Sequence, residues 1–125
     1  MKLKGLIVRE EPMAQILKGV KTWELRSRRT HIRGKIALIT SGSGTVVGTA
    51  EVVDCIGPLT AEQWNSNLRK MGLSKEDRIK SKREIGDVYA WVIKSAKRLR
   101  KPIPWSVLFD WSARSLRSSA STSDL

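Results

Sequence analysis

The residues best suited to chemistry lie in one short stretch that begins at Gly19 and reads Gly-Val-Lys-Thr-Trp-Glu-Leu-Arg. If residues 20 to 27 form a strand, alternation places Trp23 and Leu25 on a core-facing side. The opposite side then carries the polar members of the stretch, which are Thr22, Glu24 and Arg26. This pattern predicts one face of the strand for the core and one for the site.

Gly19 ends a helical pattern, as glycines at the C-terminal ends of helices do. Lys21 would then enter the strand beside this helix end, where its ammonium could turn toward Glu24. An acid between two bases can hold a fixed geometry. The same spacing is also typical of a solvent-exposed strand with surface ion pairs. The residues alone therefore leave open a charged surface, a binding site, and an acid–base pair formed by Lys21 and Glu24.

The first half of the chain supplies the elements that must position this stretch. Residues 3 to 9 have strand character, and acids with Pro12 then begin a helix that runs to Lys18 and has Met13, Ile16 and Leu17 on its inner face. After the central strand, residues 27 to 34 form a polar, basic loop. The pattern next predicts strands from Lys35 to Thr40 and from Thr45 to Ile56, joined by a flexible Ser-Gly turn that could approach a phosphate. Gly48 inside the second strand predicts a bulge.

In the second half, Thr60 predicts a helix start, and the helix continues to about Met71 and ends at Gly72. Ser74 predicts the cap of a second short helix, with a charged connection after it up to Gly86. Residues 87 to 93 then predict a strand, and residues 94 to 101 a basic edge, followed by an extended segment at the two prolines, Pro102 and Pro104. The serine-rich residues 112 to 125 are typical of a disordered tail, so we expect a single domain over residues 1 to 111.

Gly19, Lys21, Glu24 and Arg26 reproduce the spacing G-x-K-x-x-E-x-R, and in this respect the chain resembles the ASCH domain family of the PUA-like superfamily. The resemblance extends over about residues 3 to 105. It implies an α+β fold with a small PUA-like β-barrel of five to six strands and two or three flanking helices. In related ASCH domains a proline-rich step leads to a closing strand, so the resemblance implies such a strand at Trp105 to Trp111. It also implies an association with RNA. Composition alone supports only the α+β class.

Charge points to the same kind of partner. The chain has 24 Lys and Arg against 12 Asp and Glu, a formal net charge of +12, and this excess favours a polyanion such as nucleic acid. The basic residues are also bunched: residues 25 to 50 contain no acid. A second acid-free run includes Lys94 and Lys101, and a third lies between Arg78 and Arg83.

Several partners and compartments are expected to be absent. One cysteine and one histidine supply neither a disulfide nor a zinc site built from those ligands, so we expect a reduced protein without metal or other cofactor. The N-terminus is too short in its apolar part for a signal peptide, and no apolar run is long enough to span a membrane. We therefore expect a cytoplasmic protein, with its oligomeric state left open.

These observations predict a nucleic-acid-binding module, with single-stranded RNA preferred over DNA, whose cleft is lined by the G-x-K-x-x-E-x-R motif. The expected contacts combine the motif, the basic loop, the Ser-Gly turn and the second basic run: Lys21, Thr22, Glu24, Arg26, Arg28, Arg29, Arg33, Ser41, Lys97, Arg98, Arg100, Lys101 and Trp105. In this reading Glu24 orients its neighbours or accepts a hydrogen bond from a base, as acidic side chains do from cytosine N4.

The alternative is a small hydrolase, either a ribonuclease or an N4-acetylcytidine amidohydrolase, with Lys21 and Glu24 as its acid and base. Some ASCH proteins are amidohydrolases of this kind, and they carry a threonine where this chain has Glu24. That departure argues against the same activity here. Those enzymes use the threonine as nucleophile, together with the motif lysine and a glutamate distant in the sequence. In this chain Thr22 lies two positions before Glu24, and neither Glu76 nor Glu84 is a convincing equivalent of that glutamate.

The remaining aromatic and titratable residues divide into core and surface candidates. Trp23, Trp64 and Trp91 have apolar neighbours and are expected in the core, whereas Trp105 and Trp111 lie beside the basic run and suit base stacking. His31 lies in the basic loop, where it is either solvated or a general acid for RNA cleavage. Cys55 is expected to be a small buried residue.

Overall fold

The structure, a computed structural model, describes residues 3–74, 76 and 87–108. Within this part the strands are β1 (Lys4–Val8), β2 (Trp23–Arg26), β3 (Gly34–Thr40), β4 (Thr45–Ile56) and β5 (Tyr89–Pro104). The helices there are α1 (Glu10–Leu17), α2 (Ala61–Ser66), α3 (Leu68–Met71) and α4 (Trp105–Leu108). The strands form one sheet in the order β1-β3-β4-β5-β2, in which β1 and β3 are parallel and the other pairs are antiparallel.

The sheet is strongly curled into half of a barrel, which confirms the predicted α+β class and barrel-like architecture. Helix α1 packs on the concave side, where Met13 and Ile16 join apolar side chains of β1, β3, β4 and β5. Alternation along β3 sends Ile36 and Leu38 into this core. Burial of such a continuous apolar interior is the main stabilising contribution to the fold.

The convex side carries two smaller clusters. Trp23, Trp64 and Met71 form one of them, where α2 and α3 pack against β2 and β5. The other lies on β3 and β4 and is partly covered by Trp105 of α4. The predicted core positions of Trp23 and Trp64 are confirmed, and Trp91 is buried in the concave core.

Strands β4 and β5 make the longest pairing in the sheet, and its register is irregular. Val46 pairs with Ile103 and Gly48 pairs with Arg98, so β5 advances five residues where β4 advances two. A Cβ atom on Gly48 would meet the carbonyl oxygen of Lys97, and the Leu17 side chain would lie 2.7 Å from it. The predicted irregularity at Gly48 is therefore confirmed, and its physical reason is the close approach of β5 and α1.

Other predicted elements need correction. Residues Trp105–Leu108 are helical, so the predicted closing strand is wrong there. Strand β5 itself continues through both prolines to Pro104, which pairs with Thr45, the first residue of β4. The helix predicted from Thr60 to Met71 is interrupted at Asn67, whose φ of −130° is not helical. The strand predicted over 20 to 27 is limited to Trp23–Arg26.

Some predictions lie outside the described residues. These include most of the helix expected after Ser74, the connection up to Gly86, Trp111 and the serine-rich tail. Among the helices that the structure describes, none is long and apolar enough to cross a membrane. In the same part of the chain, no group of three His, Cys, Asp or Glu side chains comes together in a way that could hold a metal ion.

Candidate functional site

A cleft of about 370 Å³ opens between the two edge strands of the half-barrel, β1 and β2. Helix α1 forms one wall and the end of α3 another. The lining residues, which define what we call the Glu24 cleft, are Ile7, Val8, Arg9, Pro12, Gln15, Lys21, Glu24, Leu25, Arg26, Met71, Gly72 and Leu73. The cleft therefore brings together three of the four motif residues, Lys21, Glu24 and Arg26.

The chain enters this site through a turn fixed by the end of α1. Gly19 has φ = +80°, a conformation that favours glycine, and it follows Lys18, the C-cap residue of the helix. The backbone N–H groups of Val20 and Lys21 then both donate to the Gln15 carbonyl, at 3.0 and 3.1 Å. Because the turn is fixed at the backbone, the Lys21 side chain is directed under β2. The helix end predicted at Gly19 is confirmed.

The Lys21 ammonium is buried, and two backbone carbonyls and one carboxylate surround it. It donates to the carbonyl oxygens of Trp23 at 2.9 Å and Met71 at 2.8 Å, and its Nζ lies 3.6 Å from the Glu24 carboxylate. The Met71 carbonyl is at the end of α3, where helical carbonyls have no partner within the helix. Lys21 therefore joins α3 to β2 through two hydrogen bonds, and its charge holds the Glu24 carboxylate in place.

Burial lowers the pKa of Lys21 below its usual value of 10.5, because desolvation disfavours the charged form. The nearby carboxylate of Glu24 opposes this shift by attraction and by hydrogen bonding, and the positive charge of Arg26 adds a small lowering effect. Desolvation is the largest of these effects. A lysine with a lowered pKa inside a cleft is a candidate functional group, although structural ion pairs produce the same shift.

Glu24 lies at the bottom of the cleft between two cations. One carboxylate oxygen is 2.9 Å from Arg26 Nη2, and the other is the one that faces Lys21. Arg26 Nη2 also donates to the Ile7 carbonyl at 2.6 Å, so this side chain bridges the edge strands β2 and β1 across the open side of the half-barrel. Its Nε atom is buried without a hydrogen-bond partner among the described residues.

Gly72 shapes the far wall of the cleft. It has φ = +69° in the left-handed region, and a Cβ atom there would meet the Gln15 side-chain oxygen. The backbone conformation therefore favours glycine, and a Cβ atom would in addition require the end of the Gln15 side chain to move. The sequence predicted Gly72 as a helix end, which is confirmed, but its contact with Gln15 is not visible in the sequence.

The other predicted residues near the motif occupy different positions. Thr22 is half-buried and does not line the cleft; its backbone donates to the Lys70 carbonyl and accepts from Ile93. Arg28 is exposed in the basic loop, and Arg29 donates to the Gly57 carbonyl at 2.8 Å while its guanidinium lies 5.1 Å from the Tyr89 ring.

Further along the loop, His31 is exposed, and Arg33 donates to the carbonyls of Thr30 and Ile32 and lies 3.9 Å from Asp54. Cys55 is buried, as predicted, and its sulfur accepts from the Thr30 N–H at 3.5 Å. Arg29 and Arg33 thus stabilise the loop through contacts with backbone carbonyls, whereas the guanidinium of Arg28 is exposed to solvent.

The basic run on β5 lies outside the Glu24 cleft. Its exposed cations are Lys94, Lys97, Arg98, Arg100 and Lys101. Strand β2 pairs only with residues 89 to 92, so this later part of β5 has a strand neighbour on one side and forms the predicted basic edge. Ser41 is exposed in the turn between β3 and β4. Trp105, which the sequence suggested for stacking on a base, is half-buried and packs against the apolar cluster that contains Ile39.

Sequence reasoning missed most of the cleft walls. Ile7, Arg9 and Pro12 come from the segment that joins β1 to α1, while Leu73 follows α3. The local patterns placed Ile7 and Arg9 in a strand, Pro12 at a helix start and Leu73 just after a helix end. No signal in the sequence showed that the two segments face each other across the motif, because that depends on the curvature of the sheet.

A curled mixed sheet with a motif-lined cleft between its edge strands defines this chain as a small PUA-like module. The chain belongs to the ASCH domain family, whose model, described as "ASCH domain", matches residues 6–103. A comparison with curated proteins gives no match.

Solved structures with the same fold come from Zymomonas mobilis. The crystal structure of its ASCH protein is 21% identical with a TM-score of 0.69, and the alignment covers 85% of this chain and 76% of that one. A mutant of that protein with a tyrosine replaced by phenylalanine gives 19% identity, a TM-score of 0.71, and coverage of 88% and 81%. At this level of identity, the similarity establishes the fold.

Proposed function

We propose that this protein binds single-stranded RNA and that the Glu24 cleft receives one base that is turned out of the strand. The observation that carries this proposal is a buried carboxylate, held by Lys21 and Arg26, at the bottom of an open cleft in a chain of net charge +12. A volume of about 370 Å³ lies within the range of small-molecule sites and suits a nucleoside.

The walls and floor of the cleft offer different interactions. Ile7, Pro12 and Leu73 present apolar surface on which the face of a base can pack. Glu24 is an acceptor whose two oxygens keep lone pairs beyond those directed at the two cations, so it can accept from an exocyclic amino group such as cytosine N4. Because its position is fixed from both sides, the carboxylate has little freedom to lose on binding.

Phosphate contacts would come from cations outside the cleft. Arg9 is exposed and lines the rim, and Arg28 is exposed in the loop after β2. Neither side chain forms an ion pair with a carboxylate of the described residues. Such cations position a nucleic-acid backbone without reading its sequence. The family membership and the net charge both support RNA as the polyanion.

The test measures equilibrium affinity for short RNA and DNA oligomers of the same sequence, over a range of salt concentrations and with each base varied in turn. We expect a linear fall of log affinity with log salt, because bound cations release counterions from phosphates. Glu24→Gln should alter base preference by about 10-fold, the value of one good base-edge contact. The matched control Glu62→Gln changes the same charge on an exposed helix residue and should leave base preference unchanged.

Three results would contradict the proposal. Affinity that does not change between low and moderate salt would exclude phosphate neutralisation. Equal effects of Glu24→Gln and Glu62→Gln on base preference would exclude Glu24 as a group that contacts the base. A preference for DNA over RNA of the same sequence would exclude RNA as the natural partner.

The lowered pKa of Lys21 supports one second candidate, a hydrolase in which Lys21 and Glu24 act as acid and base. Against it, two of the three N–H groups of Lys21 already donate to backbone carbonyls, which gives this ammonium a structural role. Purified protein incubated with RNA and with N4-acylated cytidine, followed by mass spectrometry, separates the two functions. A binding module leaves both substrates intact, whereas a hydrolase forms product and loses about 100-fold or more in rate with Glu24→Gln.

A further inference from the structure

A second cleft, of about 630 Å³, lies on the opposite side of α1 from the Glu24 cleft. Its floor is apolar and comes from Met13 and Leu17 of α1 and Val47 of β4. The turn between β3 and β4 forms one rim, and Arg98 of β5 contributes a cation. We call it the Ser41 cleft. Neither the motif nor the proposed function uses it.

The irregular pairing of β4 and β5 lies at this cleft, since Val47 and Arg98 both line it. Between Arg98 and Ile103, strand β5 contains three more residues than the facing part of β4, which is Val47 alone. These additional residues include Arg100 and Lys101, both exposed. The irregularity therefore places two further cations on the segment that directly follows Arg98, beside a groove that already contains an arginine.

The polar groups of the turn are available for a ligand. Ser43 is occupied, since its hydroxyl contacts the Thr40 carbonyl and the Thr45 hydroxyl, both at 2.8 Å, and thereby stiffens the turn. By contrast, the Ser41 hydroxyl and the backbone N–H groups of Gly42 and Gly44 have no hydrogen-bond partner among the described residues. Donors on a stiff turn opposite an arginine are the groups that bind phosphate.

We propose that the Ser41 cleft binds a second nucleotide of the same RNA strand. Arg98 and the donors of the turn hold its phosphate, and its base or ribose packs on the apolar floor. This inference rests on the proposed function of the Glu24 cleft. Helix α1 separates the two clefts, and since a helix with its side chains is roughly 10 Å across, a flexible strand can reach both.

The one acid that lines the cleft has a role consistent with RNA. Glu10, the first residue of α1, is exposed and lines the cleft. A carboxylate there disfavours a phosphate next to it but accepts a hydrogen bond from a ribose 2′-hydroxyl, the group by which proteins distinguish RNA from DNA. The cleft thus has separate donors for phosphate and an acceptor for ribose.

The test records amide NMR spectra of the full chain during titration with an RNA tetranucleotide and, separately, with a single nucleoside monophosphate. The tetranucleotide should shift the amides of Ser41, Gly42 and Gly44 together with those of the Glu24 cleft. Arg98→Gln should weaken tetranucleotide binding by about 10-fold, the usual effect of losing a charge-assisted hydrogen bond. The matched control Lys35→Gln removes an exposed charge at the other end of β3 and should change affinity by less than about 2-fold.

A second variant, Ala14→Phe, fills the Ser41 cleft from α1 without removing a charge. It should abolish the shifts of the turn amides and leave those of the Glu24 cleft. Shifts confined to the Glu24 cleft in the wild type, or equal affinities of Arg98→Gln and Lys35→Gln, would overturn the second subsite and leave the proposed function in place. No shift at either cleft would overturn both.

Discussion

Replacing Lys21 with methionine removes a buried ammonium and keeps a side chain of similar length. In the wild type this ammonium contacts two backbone carbonyls and the Glu24 carboxylate, and it joins α3 to β2. The variant leaves these carbonyls without their donor. It also leaves Glu24 buried, with Arg26 as its remaining partner.

The magnitude follows from the burial of the pair. Removing one partner of a buried ion pair typically costs about 3–5 kcal/mol, because the other charge stays in a poorly solvated position. Here Arg26 still compensates part of the Glu24 charge, so we expect about 3 kcal/mol, the lower end of that range. Since small domains are stable by about 5–15 kcal/mol, Lys21→Met should remain folded with a clearly lower midpoint of unfolding.

Urea denaturation followed by far-ultraviolet circular dichroism measures this difference. The matched control is Lys18→Met, an exposed lysine three residues earlier, which should change stability by no more than about 0.5 kcal/mol. Equal stabilities of the two variants would refute the structural role assigned to Lys21. The folded Lys21→Met variant should bind RNA more weakly only because Glu24 is displaced, since Lys21 does not contact phosphate in this proposal. The salt dependence of its RNA affinity should therefore match that of the wild type.

Three further predictions concern pH, backbone geometry and charge. Because the pKa of Lys21 is lowered in the folded state, the unfolded chain binds that proton more tightly. The stability of the wild type relative to Lys21→Met should therefore rise as pH increases from the lowered pKa toward 10.5. A constant difference between their urea midpoints across that pH range would contradict this prediction. Gly72→Ala should destabilise the fold more than Gly44→Ala does. Both glycines have a similar positive φ, which costs an alanine about 1–2 kcal/mol, but a Cβ atom at position 44 has no neighbour within 4 Å, whereas one at position 72 meets the Gln15 side chain. Equal melting temperatures of the two variants would argue against the contact with Gln15. Arg28→Gln should reduce the slope of log affinity against log salt by about 0.7, and an unchanged slope would remove Arg28 from the RNA contacts.

Most of the fold could be predicted because its signals are local. The bounds predicted for the strand from Thr45 to Ile56 agree with β4, and the cap at Thr60 forms with Gln63 in both directions, as the capping box requires. The errors occurred where a distant contact decides the conformation. Trp105 begins a helix because its N–H donates to the Gly44 carbonyl and its ring lies over Gly5, neither of which a local pattern shows.

The candidate site was predictable only in part, for a similar reason. Alternation placed Glu24 and Arg26 together, and the motif linked them to Lys21. However, the burial of Lys21 depends on the Met71 carbonyl, which is 50 residues away in the sequence. Sequence spacing predicted that the Lys21 ammonium could approach Glu24. Its hydrogen bond to the end of α3 could not be predicted, because nothing in the local pattern brings that helix end to β2.

Photo-cross-linking tests most directly whether the Glu24 cleft receives a base of bound RNA. Short RNA oligomers with a photoactivatable base would be irradiated in complex with the protein, and the attached residues identified by mass spectrometry. Binding in the cleft predicts cross-links to its walls, at Ile7, Pro12, Leu25 or Leu73. These cross-links should be lost in competition with unmodified RNA. Cross-links confined to the exposed cations of β5, with none at any cleft residue, would contradict this account.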